Sequence, residues 1–304
     1  LLWPMVALGW VTNLFQRGAA SFSRLQAIMA EQPAVQPPAE PAQLDAVRGR
    51  IEFRGVSFRY PQTTRDVLAD VTFTIEAGQT AAIVGPTGSG KSTIVGLLTR
   101  RYDPQSGTIL IDDVPISRIG FDQLRDAIGV VPQDSFVFSE TIAENIALGL
   151  PTGASAEGAI ERAGRIASLD EAVAEFPAGY HTRLGERGVN LSGGQRQRTT
   201  LARALAREPR ILILDDALSA VDTHTETGIL QALRVVFSER TALIISHRVT
   251  AVMNADVILV LDRGRIVERG THSELVERRG LYATLLRRQL LEEDLETSSV
   301  DLPA

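Results

Sequence analysis

Residues 80–100 read TAAIVGPTGSGKSTIVGLLTR: a short apolar run, a glycine-rich turn and a helical pattern in direct succession. The five residues of TAAIV are too few for a buried helix and suit a strand covered on both faces. The turn GPTGSGKST, residues 85–93, is then a phosphate-binding loop between a strand and the helix it opens. Its glycines let backbone N–H groups turn inward to cradle phosphate oxygens, and the positive end of the new helix points at them. Gly85, Pro86, Thr87, Gly88, Ser89, Gly90, Lys91, Ser92 and Thr93 are therefore candidate nucleotide-binding residues. Lys91 has the reach for the β- and γ-phosphates, and the Ser92 hydroxyl suits Mg²⁺.

A strand of this kind needs parallel neighbours. ILILD (211–215) and TALIIS (241–246) are continuous apolar runs with helical patterns between them. IEFRGVSFRY and VTFTIEAG alternate apolar and polar residues, as half-buried antiparallel strands do. The expected fold is α/β: a mostly parallel sheet with flanking helices, plus an antiparallel β subdomain. DVILVLDRGRIVERG reads as a hairpin turning at Asp262, Arg263 and Gly264.

ILILD ends in a pair of aspartates, Asp215 and Asp216. Asp215 can hold Mg²⁺ from the strand end, usually through water. A second carboxylate beside it is repelled by the first and needs a purpose of its own. LSGGQRQR, residues 191–198, precedes another helical stretch. Ser192 can cap that helix and the two glycines permit close approach of an anion, although a plain helix start reads the same way.

The remaining segments set the boundaries. The chain opens LLWPMVALGWVTNLF, an apolar run of about 15 residues, shorter than the roughly 20 needed to span a bilayer. Trp3 and Trp10 suit a membrane interface, with Arg17 and Arg24 following as cytoplasmic-side charges would. Residues 1–32 are expected to be the end of a transmembrane helix with its cytoplasmic extension; a buried helix of a soluble domain is the alternative. Clustered prolines make 33–49 an extended linker, 50–290 the compact domain, and the acidic residues 291–304 a disordered tail. A net charge of −6 argues against sequence-independent nucleic-acid binding, so any phosphate site is local. Cysteine is absent, which removes disulfides and thiolate metal sites.

A phosphate loop, then LSGGQ, ILILDD, SAVD and SHR, in that order, resembles the nucleotide-binding domain of an exporter-type ABC transporter over roughly residues 50 to 290. The resemblance implies ATP and Mg²⁺ as ligands, and a helical subdomain carrying the signature. It also implies a cell-membrane protein with this domain on the cytoplasmic side, whose partners are membrane lipid, its own and a partner's transmembrane domains and a second half-transporter. It assigns Tyr60 to adenine stacking, although a strand-end core tyrosine would look the same. Gln133 is assigned to Mg²⁺ and the attacking water, His247 to the γ-phosphate. Ser192, Gly193, Gly194 and Gln195 are assigned to the ATP held by a head-to-tail partner. FSETIAENI and Glu186 would face the membrane domain, and Asp222 the partner.

Efficient members of that family carry Glu where this chain has Asp216. Aspartate is shorter by one methylene, about 1.5 Å of bond length. A water-orienting group must come within about 3 Å of its target, so Asp216 is expected to be a weak catalytic residue. With Lys91, Gln133, His247 and LSGGQ present, the pattern resembles the slow-site half of a heterodimeric multidrug-type exporter with an unidentified drug- or lipid-like cargo. A slow homodimer, a regulatory ATP-binding module and a soluble ATPase of the same superfamily are the alternatives.

Overall fold

The computed structural model describes residues 2–44, 46–150, 157–221 and 223–300. The first half of the chain runs α1 (Leu2–Met29), β1 (Ile51–Phe58), β2 (Leu68–Ile75), β3 (Thr80–Val84), α2 (Lys91–Leu98), β4 (Ser106–Ile111), β5 (Val114–Pro115), α3 (Phe121–Ala127), β6 (Ile128–Val131) and α4 (Ile142–Ala147). The second half runs α5 (Glu157–Ile166), α6 (Asp170–Ala174), α7 (Gly193–Ala206), β7 (Ile211–Asp215), α8 (Thr223–Phe237), β8 (Thr241–Ile245), β9 (Val257–Asp262), β10 (Arg265–Gly270), α9 (His272–Arg278) and α10 (Leu281–Val300).

Residues 1–36 and 37–304 form two separate units. In the first, α1 buries none of its residues, and Leu2, Trp3, Leu8, Trp10 and Phe15 are all exposed. Among the described residues no helix is long and apolar enough to cross a membrane.

The second unit holds the six-stranded sheet β10-β9-β3-β8-β7-β6, parallel except for β10 on β9. Strand alternation splits its side chains between two cores. Ala82, Val84, Leu212, Leu214, Ala242 and Ile244 face one, whereas Ala81, Ile83, Ile211, Ile213, Leu243 and Ile245 face the other. Each fully buried Leu or Ile stabilises by about 1.5–3 kcal/mol, which explains why these strands lack a polar face. The antiparallel sheet β2-β1-β4-β5 completes the second core, with Phe53 stacked on Phe73 at 4.5 Å. The expected hairpin is present, with Arg263 and Gly264 both at positive φ, 46° and 77°. Helices α4 and α5 pack on α7 to make the helical subdomain.

Two boundaries differ from the sequence reading. The proline-rich segment does not stay free as far as residue 49. Ala42 N–H donates to Arg118 O at 2.7 Å, Leu44 exchanges hydrogen bonds with the Gln123 amide, and Asp112 accepts from the N–H groups of Arg48, Gly49 and Arg50. A carboxylate that gathers three backbone donors ties the segment down, and nothing in its composition announces those partners. Of the acidic end expected to be a disordered tail, residues 291–300 continue α10, whose Leu and Glu residues are good helix formers, and 301–304 lie outside the described residues.

Candidate functional site

The carboxyl ends of β3, β8 and β7 lie side by side, and the site is built from the residues that leave them. After β3 the chain must turn at once under the last strands of the sheet. Gly85 does so at φ 156°, where a Cβ would run into the Leu261 carbonyl oxygen. The loop closes with Ser89 N–H donating to Pro86 O, and Gly90 starts α2 from the left-handed region at φ 108°. Ser89 Oγ is buried with no hydrogen-bond partner. Such an orphan costs about 1–3 kcal/mol.

Lys91 folds back into this loop. Its Nζ donates to Gly85 O at 2.8 Å and Pro86 O at 3.0 Å. Burial lowers its pKa, while Asp216 and Asp215 pull the other way. The ammonium is thus desolvated, which strengthens its attraction for a phosphate.

The two aspartates part company at the strand end. Asp215 remains on β7, buried, and accepts from Ser92 Oγ at 3.2 Å. Burial raises its pKa, the Ser92 hydrogen bond opposes that, and Asp216 adds to the rise. Asp216 breaks from the strand with φ 48° while its N–H donates to Ile245 O. That turn swings its carboxylate toward β8, where Oδ1 accepts from the His247 N–H at 3.1 Å and lies 2.8 Å from His247 Nδ1. Adjacent like charges are tolerated because one faces Ser92 and the other faces an imidazole.

Tyr60, Thr87, Gly88, Gly90, Lys91, Ser92, Thr93, Gln133, Asp216 and His247 line one cleft. Tyr60 is half-buried, edge-on to Phe58 and Tyr102, with its hydroxyl 3.1 Å from Thr93 Oγ1. It is both the strand-end core residue and a ring on the cleft wall. Ser92 and Asp215 offer a pair of adjoining oxygens suited to a hard cation, and no cluster of three or more His, Cys, Asp or Glu occurs among the described residues. A Mg²⁺ ion here would be held from Ser92 and Asp215, with Gln133 lining the same cleft as Ser92.

Ser192, Gly193, Gly194 and Gln195 are outside that lining. They start α7 with a complete capping box: Ser192 Oγ accepts from Gln195 N–H at 3.1 Å, and Gln195 Oε1 accepts from Ser192 N–H at 2.9 Å. Glu186 is exposed in a short 3₁₀ turn just before, and Asp222 lies outside the described residues. Sequence reasoning missed Gln197, buried on α7 within LSGGQRQR, and Glu226, which pairs with Arg248 at 2.6 Å beside His247. A glutamine in a motif otherwise explained by capping was a usable signal; the Glu226–Arg248 contact, 22 positions apart, left none.

A phosphate loop on a parallel sheet, with a buried lysine and a strand-end aspartate, defines a P-loop nucleoside-triphosphate-binding protein. The ABC transporter family profile matches residues 68–219. The multidrug resistance-like ATP-binding protein MdlA of Escherichia coli is 44% identical over 296 residues, covering 97% of this chain and 50% of its own. The ATP-dependent lipid A-core flippase of Bordetella avium is 47% identical over 249 residues, covering 82% of this chain and 42% of its own. The solved structure of a bacterial Atm1-family ABC exporter with ATP bound matches with a TM-score of 0.87 at 41% identity, over 94% of this chain and 50% of that one. The chain belongs to the ABC transporter family. Domains of this kind bind ATP with Mg²⁺ and hydrolyse it. The chain spans about half the length of the curated relatives it matches.

Proposed function

We propose that this chain is the ATP-hydrolysing domain of a membrane ABC exporter, on the cytoplasmic side, and the slow-site half of a heterodimer. The observation that carries the reading is the division of labour within the chain. The cleft around Lys91 and Asp215 is separate from the helix start at Ser192, so each ATP needs a second chain's signature to close over it. In its own cleft, Tyr60 stacks on the base, the loop and Lys91 hold the phosphates, and Ser92, Asp215 and Gln133 hold the metal. Mg²⁺ supplies charge neutralisation for the phosphates. Asp216 spends one carboxylate oxygen on His247, and its short side chain leaves little reach toward a water beyond. The intact LSGGQ serves the partner's competent site. A drug- or lipid-like cargo agrees with what the names of MdlA and the flippase say of those proteins.

The test is ATPase activity of the full-length protein, alone and with its co-purifying partner. Turnover that appears only with the partner supports the heterodimer. Equal turnover alone identifies a slow homodimer, and none in either state identifies a regulatory clamp. Residues 1–304 by themselves are expected to be mainly monomeric and to hydrolyse ATP poorly, as light scattering with and without ATP–Mg²⁺ will show; brisk turnover by a proven monomer overturns the shared-site reading.

A further inference from the structure

The two functional regions of the chain are joined by one buried side chain. Gln197 sits in the second turn of α7, four residues beyond Gly193, and is 4% exposed. Both ends of its amide are used on the loop that follows β7. Its Oε1 accepts from Ala220 N–H at 2.9 Å, and its Nε2 donates to Ser219 Oγ at 3.1 Å. The same loop is tied back to the nucleotide cleft, because Ser219 N–H donates to Asp216 O at 3.2 Å. The loop also presses on the start of α7. A Cβ on Gly193 would lie 3.3 Å from Ala220 Cβ, and one on Gly194 would lie 3.1 Å from Ala220 O. Short contacts therefore run from Asp216 through Ser219 and Ala220 to Gln197, and from Ala220 to the two glycines that follow Ser192.

We propose that Gln197 is a positioning residue that couples this chain's own ATP cleft to its signature, so that a shift at Asp216 alters the aim of Ser192. The inference rests on the reading that Ser192 serves a partner's ATP. Its physical basis is the cost of breaking the link. The Gln197 side chain is buried although Ser219 and Ala220 are exposed, so its amide cannot turn to solvent if the loop draws away, and the loop and the helix start move together rather than separately. No other side chain in LSGGQRQR makes a hydrogen bond to Ser219 or Ala220 among the described residues. Gln197 lies outside the lining of the nucleotide cleft, and acts only through what it holds.

The experiment uses the full-length assembly, with Gln197→Met as a variant of similar length that cannot bond the loop and Ser219→Ala as a milder one at an exposed position. The expected result for Gln197→Met is a fall in kcat of about tenfold, with KM and the ATP affinity of this chain's cleft within about twofold of wild type. The Hill coefficient for ATP should drop toward one. Ser219→Ala should show the same pattern at about threefold, and the double variant should be no worse than Gln197→Met. Amide exchange at Ala220, followed by mass spectrometry, should quicken in Gln197→Met alone. An unchanged kcat and Hill coefficient overturns the proposal. So does a parallel loss of kcat, ATP affinity and thermal stability, which marks a merely structural residue. If the wild-type assembly itself shows no turnover, the exporter reading fails, and the proposal then stands or falls on whether Gln197→Met weakens nucleotide-induced protection at Ser192.

Discussion

The cleft at the start of α2 and the start of α7 are both helix N-termini, yet they are enclosed to different degrees. The cleft has walls: Lys91 is buried within it, Asp215 is buried behind Ser92, and the Tyr60 ring stands on one side. The start of α7 has no walls. Ser192 is exposed, and its hydroxyl and the Gln195 amide already satisfy each other. A helix end capped in this way is stable without a ligand, by about 1 kcal/mol relative to an alanine cap. On the proposed function, it acts only when another surface brings phosphate to it. The contrast separates a walled cleft from an open helix start.

The largest expected effect tests the open helix start. Ser192→Arg places a bulky cation where γ-phosphate must approach, and should cut turnover of the assembled protein about a hundredfold. ATP affinity in this chain's own cleft should be unchanged by titration calorimetry. Lys91→Ala strikes the walled cleft, and should weaken ATP binding to this chain by about tenfold or more while leaving most of the assembled turnover. If both variants abolish turnover equally, the slow-site reading gives way to a homodimer or to strictly coupled sites. Tyr60→Ala should weaken ATP binding by roughly 1–3 kcal/mol, the scale of base stacking. Tyr60→Phe should bind nearly normally, since it loses only the bond to Thr93; unchanged affinity in the alanine variant removes Tyr60 from the site.

Asp216→Glu should raise hydrolysis in this chain's cleft by about severalfold, because the longer carboxylate regains reach. The gain is held down by the two contacts that tie the shorter side chain to His247. Single-turnover assays with the partner's site disabled measure it, and a loss of activity would show that Asp216 acts through His247 instead. The smallest effect is one of pH. Burial holds the Asp215 pKa above the usual 3.8, so on acidification it takes up a proton earlier than an ordinary aspartate. Mg²⁺-dependent ATP affinity should fall through that window, because the neutral acid is a poor metal ligand. Stability runs the other way: a carboxyl whose folded pKa is raised destabilises the fold when ionised, and acid relieves that cost. Asp215→Asn should remove both trends from ATP titrations and melting curves taken against pH.

Much of this molecule was legible in its sequence, for local reasons. A five-residue apolar run, a glycine turn and a helix start within 21 residues dictate a strand–loop–helix unit, and the continuous runs at 211–215 and 241–246 require a sheet covered on both faces. The Ser192 cap lies within one turn of helix and was readable in the sequence; the structure adds the reciprocal bond from Gln195. The tertiary structure decided what depends on distant partners. It turned Asp216 toward His247, 31 positions away, where sequence showed only two carboxylates side by side. It set Gln197 against Ser219 and Ala220, and pinned Ala42, Leu44 and Arg48 to Arg50 with Arg118, Gln123 and Asp112. Hydrogen bonds of that kind depend on how whole elements pack, and a side chain's neighbours across a fold leave no periodicity in the chain that carries it.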